Sequence, residues 1–519
     1  MTEKQDQLSE LRKVWGLMSS QIVDPPRTAG SAPVVLDGVG LGVLDVVRLA
    51  DGTAHPVPGS EATRRVEETW DAARQIAAAG RVYGRSTGVG ANRNEDVPTE
   101  AATEHGLRLL RSHAGAIGDE LPAREVRAML AVRANQLLAG GAGLRLTVVT
   151  ALCEALESGA HPVVNEFGSV GTGDIAALAQ AALALAGEHP WRGTGAPEPQ
   201  PLDNNDALAF ISSNALTLGQ AALALHELRG LLEATQVVGA LSLLAVDGSH
   251  EAYAAPVHAA RPHRGSSEVA RRMRTLIGAA DRPTPPLGRI QDPYGFRCLP
   301  QVHGPAHDAA DALEGILAIE INAAAENPLI TPEDMAAYHH GGFYQAQLAL
   351  ALDHFRLALT QVARLSTSRL ASLNEPGFTR LRPFLADQEP GASGVMILEY
   401  AAAAALGDLR AFSAPASLGH AVLSRGVEEQ ASFASLAARQ TLRLCGAYRL
   451  VVGCELVAAV RALRQRGLEP EPGLGVGDAL ELAESVLDED PVDRPLTHDV
   501  TAAATLLDRF TDIWRGIDA

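Results

Sequence analysis

Aromatic side chains make up only 4% of this chain of 519 residues, and its four cysteines stand far apart. Cys153, Cys298, Cys445 and Cys454 form no CxxC pair and no spaced Cys/His set, which argues against a disulfide framework and against a metal site. Basic residues are outnumbered: 43 Lys and Arg face 62 Asp and Glu, a formal charge of −19. A chain of that sign repels phosphate backbones, so nucleic acid is not an expected partner. No uninterrupted apolar run reaches the roughly 18 residues that span a bilayer. The longest, around Val237 to Val246, ends at Asp247. The opening MTEKQDQLSE has neither the basic start nor the apolar stretch of a secretory signal. These absences together predict a cytoplasmic protein without a membrane partner.

What is plentiful is Ala and Leu, within a hydrophobic content of 46%. That composition supports a large buried core made of helices packed on helices. Residues 1–32 end in a Pro/Gly-rich stretch and read as a flexible lead-in. VVLDGVGLGVLDVVRLA then reads as a short strand, a turn and a helix. Three long Pro-free stretches follow: Ala207 to Val246, Gln345 to Leu373 and Glu429 to Gly467. At about 1.5 Å per residue each could run ~40–60 Å. Their surfaces are apolar nearly all round, so they must be covered by other helices or by other subunits. The expected fold is mainly α, a long central helix bundle with a small α+β N-terminal part. The body divides into an N-terminal part over 33–205 and a helix bundle with the C-terminal part over 206–519.

Three glycine-bearing segments carry candidate chemistry. Val82-Tyr83-Gly84-Arg85-Ser86-Thr87-Gly88-Val89-Gly90 offers a phenol in a flexible loop, where Gly84 to Gly90 are expected to supply donors that favour its phenolate and Arg85 a nearby cation, and no Lys follows to make it a phosphate cradle. Gly168-Ser169-Val170-Gly171-Thr172-Gly173-Asp174 is a tight turn leading into the helical stretch IAALAQAALALAGE. Gln291-Asp292-Pro293-Tyr294-Gly295-Phe296-Arg297-Cys298 sets a tyrosine and an arginine three residues apart after a proline. Together they supply a phenol, a guanidinium and a backbone nest. That set suits a small zwitterion: Arg grips a carboxylate with two parallel bonds, and a phenol can move a proton.

The order of these segments resembles that of the aromatic amino acid lyases from about Val34 onward, and histidine ammonia-lyases most of all. Eight collinear stretches carry the resemblance: VYGRSTGVG, RSHAGAIGDEL, VRAMLAVRANQLLAGGAGLR, HPVVNEFGSVG, VHAARPH, IQDPYGFRCLPQV, EINAAAENPL and APASLGHAVLSRGVEEQ. The resemblance implies a fumarase/aspartase-like helix bundle assembled as a homotetramer, with active sites shared between subunits. It implies Tyr83 as the base for the β-proton, Arg297 as the carboxylate grip, and Tyr294 and Gln291 as pocket residues. Phe343 matches the aromatic near the cofactor, with Tyr344 after it. Ser112-His113 falls on the pair that selects the substrate ring, and Glu428 on an acidic residue of histidine and phenylalanine lyases. For Ser112-His113 a capped helix is the alternative reading, and for Glu428-Glu429 a solvated turn.

The chain departs from the family at one place. The family builds 4-methylidene-imidazol-5-one (MIO) from the Ala-Ser-Gly of a Gly-Ser-Val-Gly-Ala-Ser-Gly-Asp stretch, where this chain reads Gly168-Ser169-Val170-Gly171-Thr172-Gly173-Asp174, one residue shorter and with threonine for serine. Ser212 stands for the supporting asparagine, Gly342 for the asparagine before the aromatic, and Gln180 for a common histidine. Changes clustered around one cofactor predict that the cofactor is absent, although an MIO-type modification of Gly171-Thr172-Gly173 remains the competing reading. The expected activity is a carbon–nitrogen lyase that releases ammonia or an amine from an imidazole-like α-amino acid to give an arylacrylate. A trimethylammonium betaine is the alternative substrate, as for ergothionase, a relative that works that way. A non-catalytic homologue is the other alternative.

Overall fold

A computed structural model of the chain describes residues 32–285 and 288–518. The predicted lead-in over 1–32 therefore lies almost wholly outside the described residues. The described residues divide into two compact units, 32–168, 175–219 and 321–342 in the first, and 169–174, 220–285, 288–320 and 343–518 in the second.

The first unit opens as expected, with strand β1 (Ala32–Leu36) and helix α1 (Val43–Ala50). A second strand, β2 (Ala54–Pro58), pairs parallel with β1. Helices α2 (Ser60–Ala79), α3 (Ala102–His113), α4 (Ala123–Leu138), α5 (Leu146–Ser158), α6 (Ile175–Leu185) and α7 (Asn204–Ile211) complete the unit's helical part. Every residue of α4 from Val126 to Leu138 is buried, so it forms the unit's central post. Small antiparallel pairs decorate it: β3 (Ile117–Glu120) with β5 (Asn165–Phe167), β4 (His161–Pro162) with β6 (Trp191–Arg192), and β7 (Leu329–Thr331) with β8 (Ala336–Tyr338).

The stretch expected as one helix from Ala207 to Val246 is two. Helix α7 ends at Ile211, and α8 (Ala215–Ala245) begins after three intervening residues. The cause is local competition for partners. Ser213 Oγ donates to Gln136 Oε1 at 2.6 Å and Ser212 Oγ accepts from Asn327 N–H at 3.0 Å, so both hydroxyls serve partners outside their own helix. Residues 204–245 together are long and apolar enough to cross a membrane by length and composition, which corrects the expectation that no stretch is. Of that apolar window 94% is buried, as in a core helix.

The second unit is built from long helices: the remainder of α8, α9 (Arg264–Ile277), the single turn α10 (Tyr294–Arg297), α11 (Leu299–Glu320), α12 (Ala346–Leu373), α13 (Ile397–Phe412), α14 (Ala434–Arg466), α15 (Gly475–Glu484) and α16 (Thr497–Asp518). α12 packs on α11, α13 and α14, and α14 also on α16. The expected α12 is met to within one residue. α14 starts five residues later than expected because Phe433 sits in the left-handed region, at φ 54°, and ends the preceding loop. One buried acid pins three helices. Glu455, fully buried on α14, accepts from Ser242 on α8 (2.7 Å), from Ser366 on α12 (2.6 Å) and from Arg369 on α12 through Nε (2.6 Å) and Nη2 (2.8 Å). Four donors satisfy both oxygens, the condition under which a buried charge is tolerated.

Candidate active site

The candidate residues fall in both units: Tyr83, Ser112, His113 and Ser212 in the first, and Gly171, Thr172, Gly173, Gln291, Tyr294, Arg297, Phe343, Tyr344 and Glu428 in the second.

Tyr83 lies in a turn after α2. Gly84 follows at φ 71°, and a Cβ there would meet Leu208 Cδ2 at 2.1 Å, so only glycine fits. The chain then doubles back, and Gly90 N–H donates to Tyr83 Oη at 2.8 Å. This is the backbone donor that the glycine loop was expected to supply. Arg85 does not serve as the cation near the phenol. Its guanidinium is buried and donates to the carbonyls of Ala142 (2.6 Å) and Gly143 (3.0 Å) and to Asn205 Oδ1 (3.3 Å). Burial pulls it down to about 10, with Asp206 and Asp203 opposing. Arg85 is a clamp on the base of the loop.

Beside Tyr83 stands a residue that sequence reasoning missed. His339 Nε2 accepts from Tyr83 N–H at 3.4 Å, and the rings meet edge to face at 6.4 Å between centroids and 86° between planes. The next residue, His340, is tied three ways: its N–H donates to Asn327 Oδ1 (3.0 Å), its Nδ1 accepts from Gly342 N–H (2.8 Å), and its Nε2 meets Glu326 O (2.7 Å). Asn327 N–H in turn donates to Ser212 Oγ. Glu326, 1% exposed, takes Arg133 Nη1 on Oε1 at 2.8 Å, and Arg133 Nε reaches Phe210 O at 2.9 Å. Burial pushes the Glu326 carboxyl up, with Arg133 opposing. The segment EINAAAENPL was legible as a match, but neither its link to Ser212 nor the histidine pair beyond it was.

Ser112 and His113 end α3. Ser112 Oγ donates to Leu109 O at 2.9 Å, and His113 Nδ1 lies 2.8 Å from the same oxygen. Nδ1 therefore carries the proton, and Nε2 is the acceptor left over. Gln180 is accounted for within its own unit. Its Oε1 accepts from Asn165 N–H (3.0 Å) and its Nε2 donates to Asn165 Oδ1 (2.8 Å), holding β5.

In the second unit, the Gly171-Thr172-Gly173 turn is tied down carbonyl by carbonyl. Ser169 O accepts from Ser435 Oγ (2.9 Å), Val170 O from Phe433 N–H (2.8 Å), Gly171 O from Ser432 Oγ (2.9 Å) and Gly173 O from Ser169 Oγ (3.1 Å). Gly171 and Gly173 have φ of 88° and 118°. A Cβ at Gly171 would lie 2.1 Å from Ser432 Oγ, so no side chain fits there. Ser432 and Ser435 carried no signal in the sequence.

Pro293 starts the four-residue α10, which presents Tyr294 (68% exposed) and the half-buried Arg297. The guanidinium stacks over the Tyr294 ring at 5.0 Å, and its Nε donates to Asp292 O at 2.9 Å. Asp292 is itself buried and held by Ser249 N–H (2.5 Å) and Arg289. Nε is thus fixed, and Nη1 and Nη2 remain as a two-pronged edge of the kind that meets a carboxylate. Gln291 is exposed beside it. Phe343 is half-buried and Tyr344 exposed in the loop entering α12. Glu428 exchanges backbone hydrogen bonds with Leu423, leaving its half-buried carboxyl at a hairpin-like loop. Among the described residues no cluster of His, Cys, Asp and Glu could hold a metal ion.

Comparison with known proteins gives a consistent picture. The family model for aromatic amino acid lyases matches residues 41–485. The histidine ammonia-lyase of Caldanaerobacter subterraneus subsp. tengcongensis is 32% identical over 449 residues, covering 83% of this chain and 88% of that protein. Among solved structures, the ergothioneine-degrading enzyme ergothionase of Treponema denticola aligns with a TM-score of 0.86 at 25% identity, over 92% of this chain and 99% of that one. The tyrosine aminomutase of Streptomyces globisporus aligns with a TM-score of 0.87 at 26% identity, over 94% and 98%.

Proposed function

This chain belongs to the aromatic amino acid lyase family and is a carbon–nitrogen lyase acting on an amino acid, and from that premise we propose that it eliminates an amine from an imidazole-like α-amino acid without MIO. The observation that carries the reading is the pairing of retained and lost features. The phenol of Tyr83 keeps a backbone donor and Arg297 keeps a two-pronged free edge. The cofactor turn, in contrast, supports the absence of the group. Forming the ring would require Gly173 N to attack the Gly171 carbonyl and expel its oxygen, the acceptor that Ser432 holds. Threonine in place of serine would also crowd the new double bond with a methyl group.

In this reading the protein is a cytoplasmic homotetramer, and Tyr83 of one copy works with Arg297 of another. Arg297 holds the substrate carboxylate, with Tyr294 and Gln291 beside it. Ser112-His113 and Glu428 face the ring; His113 Nε2 accepts from an imidazole N–H. Phe343 and Tyr344 wall the pocket, and Ser212 supports it. Tyr83, as phenolate, takes the β-proton; the C–H electron pair becomes the Cα=Cβ bond, and the Cα–N bond breaks with its electrons leaving on the amine. A backbone N–H aimed at the phenol oxygen is the setting that supports negative charge there. Without an electrophile to activate the nitrogen, a good leaving group is needed. A trimethylammonium group leaves as neutral trimethylamine, which is why a betaine is the favoured form of the substrate, and the likeness to ergothionase points the same way.

The test is a screen of histidine, its N-methylated betaines, phenylalanine and tyrosine, followed by the ultraviolet absorbance of the conjugated acrylate. A betaine turned over faster than its free amino acid supports the reading. No acrylate from any of them overturns it.

A further inference from the structure

Two adjacent histidines link the break in the α7–α8 stretch to the tyrosine loop, through hydrogen bonds that all lie within the first unit. The chain of contacts runs from Ser212 Oγ to Asn327 N–H (3.0 Å), from Asn327 Oδ1 to His340 N–H (3.0 Å), and from His339 Nε2 to Tyr83 N–H (3.4 Å). The partners also set the two rings in opposite tautomers. His340 Nδ1 accepts from Gly342 N–H, so its Nε2 carries the proton and donates to Glu326 O. His339 Nε2 accepts, so its proton sits on Nδ1. His340 is thus an anchor with both ring nitrogens and its N–H engaged. His339, exposed at the preceding position of the loop, is the part that reaches Tyr83.

From this juxtaposition we propose that His339 is a positioning residue for Tyr83: held in place by the His340 anchor, it fixes the backbone of the tyrosine and so the place of the phenol. The proposal rests on the elimination reading above, in which Tyr83 is the base. Two further observations bear on it. The phenol end of Tyr83 is held by Gly90 N–H and the backbone end by His339, so the side chain is located at both ends. The loop between is glycine-rich, with Gly84 and Gly90 at positive φ, and has little stiffness of its own. An acceptor from a distant segment supplies what the loop lacks. A base displaced by an ångström costs roughly a hundredfold in rate, while one backbone hydrogen bond on a surface loop adds little to global stability.

The experiment compares His339→Leu, His339→Gln and Ser212→Ala in the full-length protein, with kinetics on whichever substrate the wild type turns over and with hydrogen exchange at the Tyr83 amide. His339→Leu removes the acceptor and should lower kcat roughly ten- to a hundredfold with KM changed less than about threefold. The Gln carboxamide oxygen can accept the same N–H, so His339→Gln should recover much of that loss. Ser212→Ala, one link further back, should lower kcat by a smaller factor. The Tyr83 amide should exchange at least about tenfold faster in His339→Leu than in the wild type. Equal falls in kcat and melting temperature in all three variants, with no recovery in the Gln variant, would reduce His339 to a structural role and overturn the proposal. So would an unchanged exchange rate. If the wild type turns over nothing, the elimination reading fails on its own, and the exchange rates alone decide whether His339 orders the tyrosine loop.

Discussion

The tyrosine loop at 82–90 and the glycine turn at 169–174 are both short, glycine-rich segments, yet they treat their polar atoms in opposite ways. In the loop, the group that matters is a side-chain oxygen with a donor pointed at it, Gly90 N–H onto Tyr83 Oη. In the turn, the polar atoms are spent internally: the carbonyls of Ser169, Val170, Gly171 and Gly173 each take a hydrogen bond from Ser169, Ser432, Phe433 or Ser435. The loop leaves Tyr83 half-buried, with a donor on its phenol oxygen. The turn is closed, and its closure uses an oxygen that cofactor formation would have to remove. The segment that resembles the family therefore keeps its phenol and a donor for it, and the segment that departs has its carbonyls satisfied by hydrogen bonds rather than left as a gap.

The sharpest way to break this comparison is to remove the phenol. Tyr83→Phe deletes one hydroxyl and should lower turnover by roughly a thousandfold, the usual weight of a general base. Steady-state kinetics with circular dichroism as the check on folding measures it. Full activity in that variant would move the base elsewhere, to Glu428 first.

Arg297→Lys is the next largest. It keeps the charge and loses the fork, so KM should rise about ten- to a hundredfold with a smaller fall in kcat. An unchanged KM would mean that the carboxylate is held elsewhere.

The turn itself is probed by mass and by stability. The intact protein should weigh what its sequence demands, and a mass two waters lower, located to Gly171–Gly173, would remove the contrast between the two segments. Ser432→Ala withdraws the donor from Gly171 O and should cost about 1 kcal/mol of unfolding free energy, read from denaturant titration. If the turn were cyclised, that carbonyl would be gone and the cost would be absent.

The smallest effect expected concerns pH, where one residue of each unit pulls in its own direction. Asp206 in the first unit is pushed up to about 6, mainly by burial and then by Asp203. Its contribution to stability is complete below its ordinary value of 3.8 and is lost as pH rises through about 6. His307 in the second unit is pulled down to about 4, first by burial and then by Arg272 and Arg229. Its contribution is complete above 6.5 and is lost as pH falls towards about 4. Asp206→Asn should therefore flatten the loss on the neutral side, and His307→Gln the loss on the acid side, in melting temperatures taken from pH 4 to 7.

Much of this molecule was legible before folding because it is local. Ala and Leu at helical spacing gave α12 to within one residue, and a strand, turn and helix at the start of the first unit. The motif around Asp292-Pro293-Tyr294 gave a proline-led turn with Tyr294 and Arg297 on it. The errors have one physical source. The long stretch from Ala207 was read as unbroken because propensity says nothing of Ser212 and Ser213 finding better partners outside their own helix. Arg85 was read as a cation for the phenol, but a buried guanidinium goes where carbonyls can satisfy it.

The sequence by itself determined the family, the helical character of the chain and the kit of a phenol, a guanidinium and a shortened glycine turn. These follow from residue type and spacing along the chain. Only the tertiary structure decided which atoms of that kit are spent and which stay available. Ser212 and Asn327 are 115 positions apart, Tyr83 and His339 are 256 apart, and Gly171 and Ser432 are 261 apart. A hydrogen bond depends on positions to within tenths of an ångström, and no local pattern encodes the meeting of groups so distant along the chain.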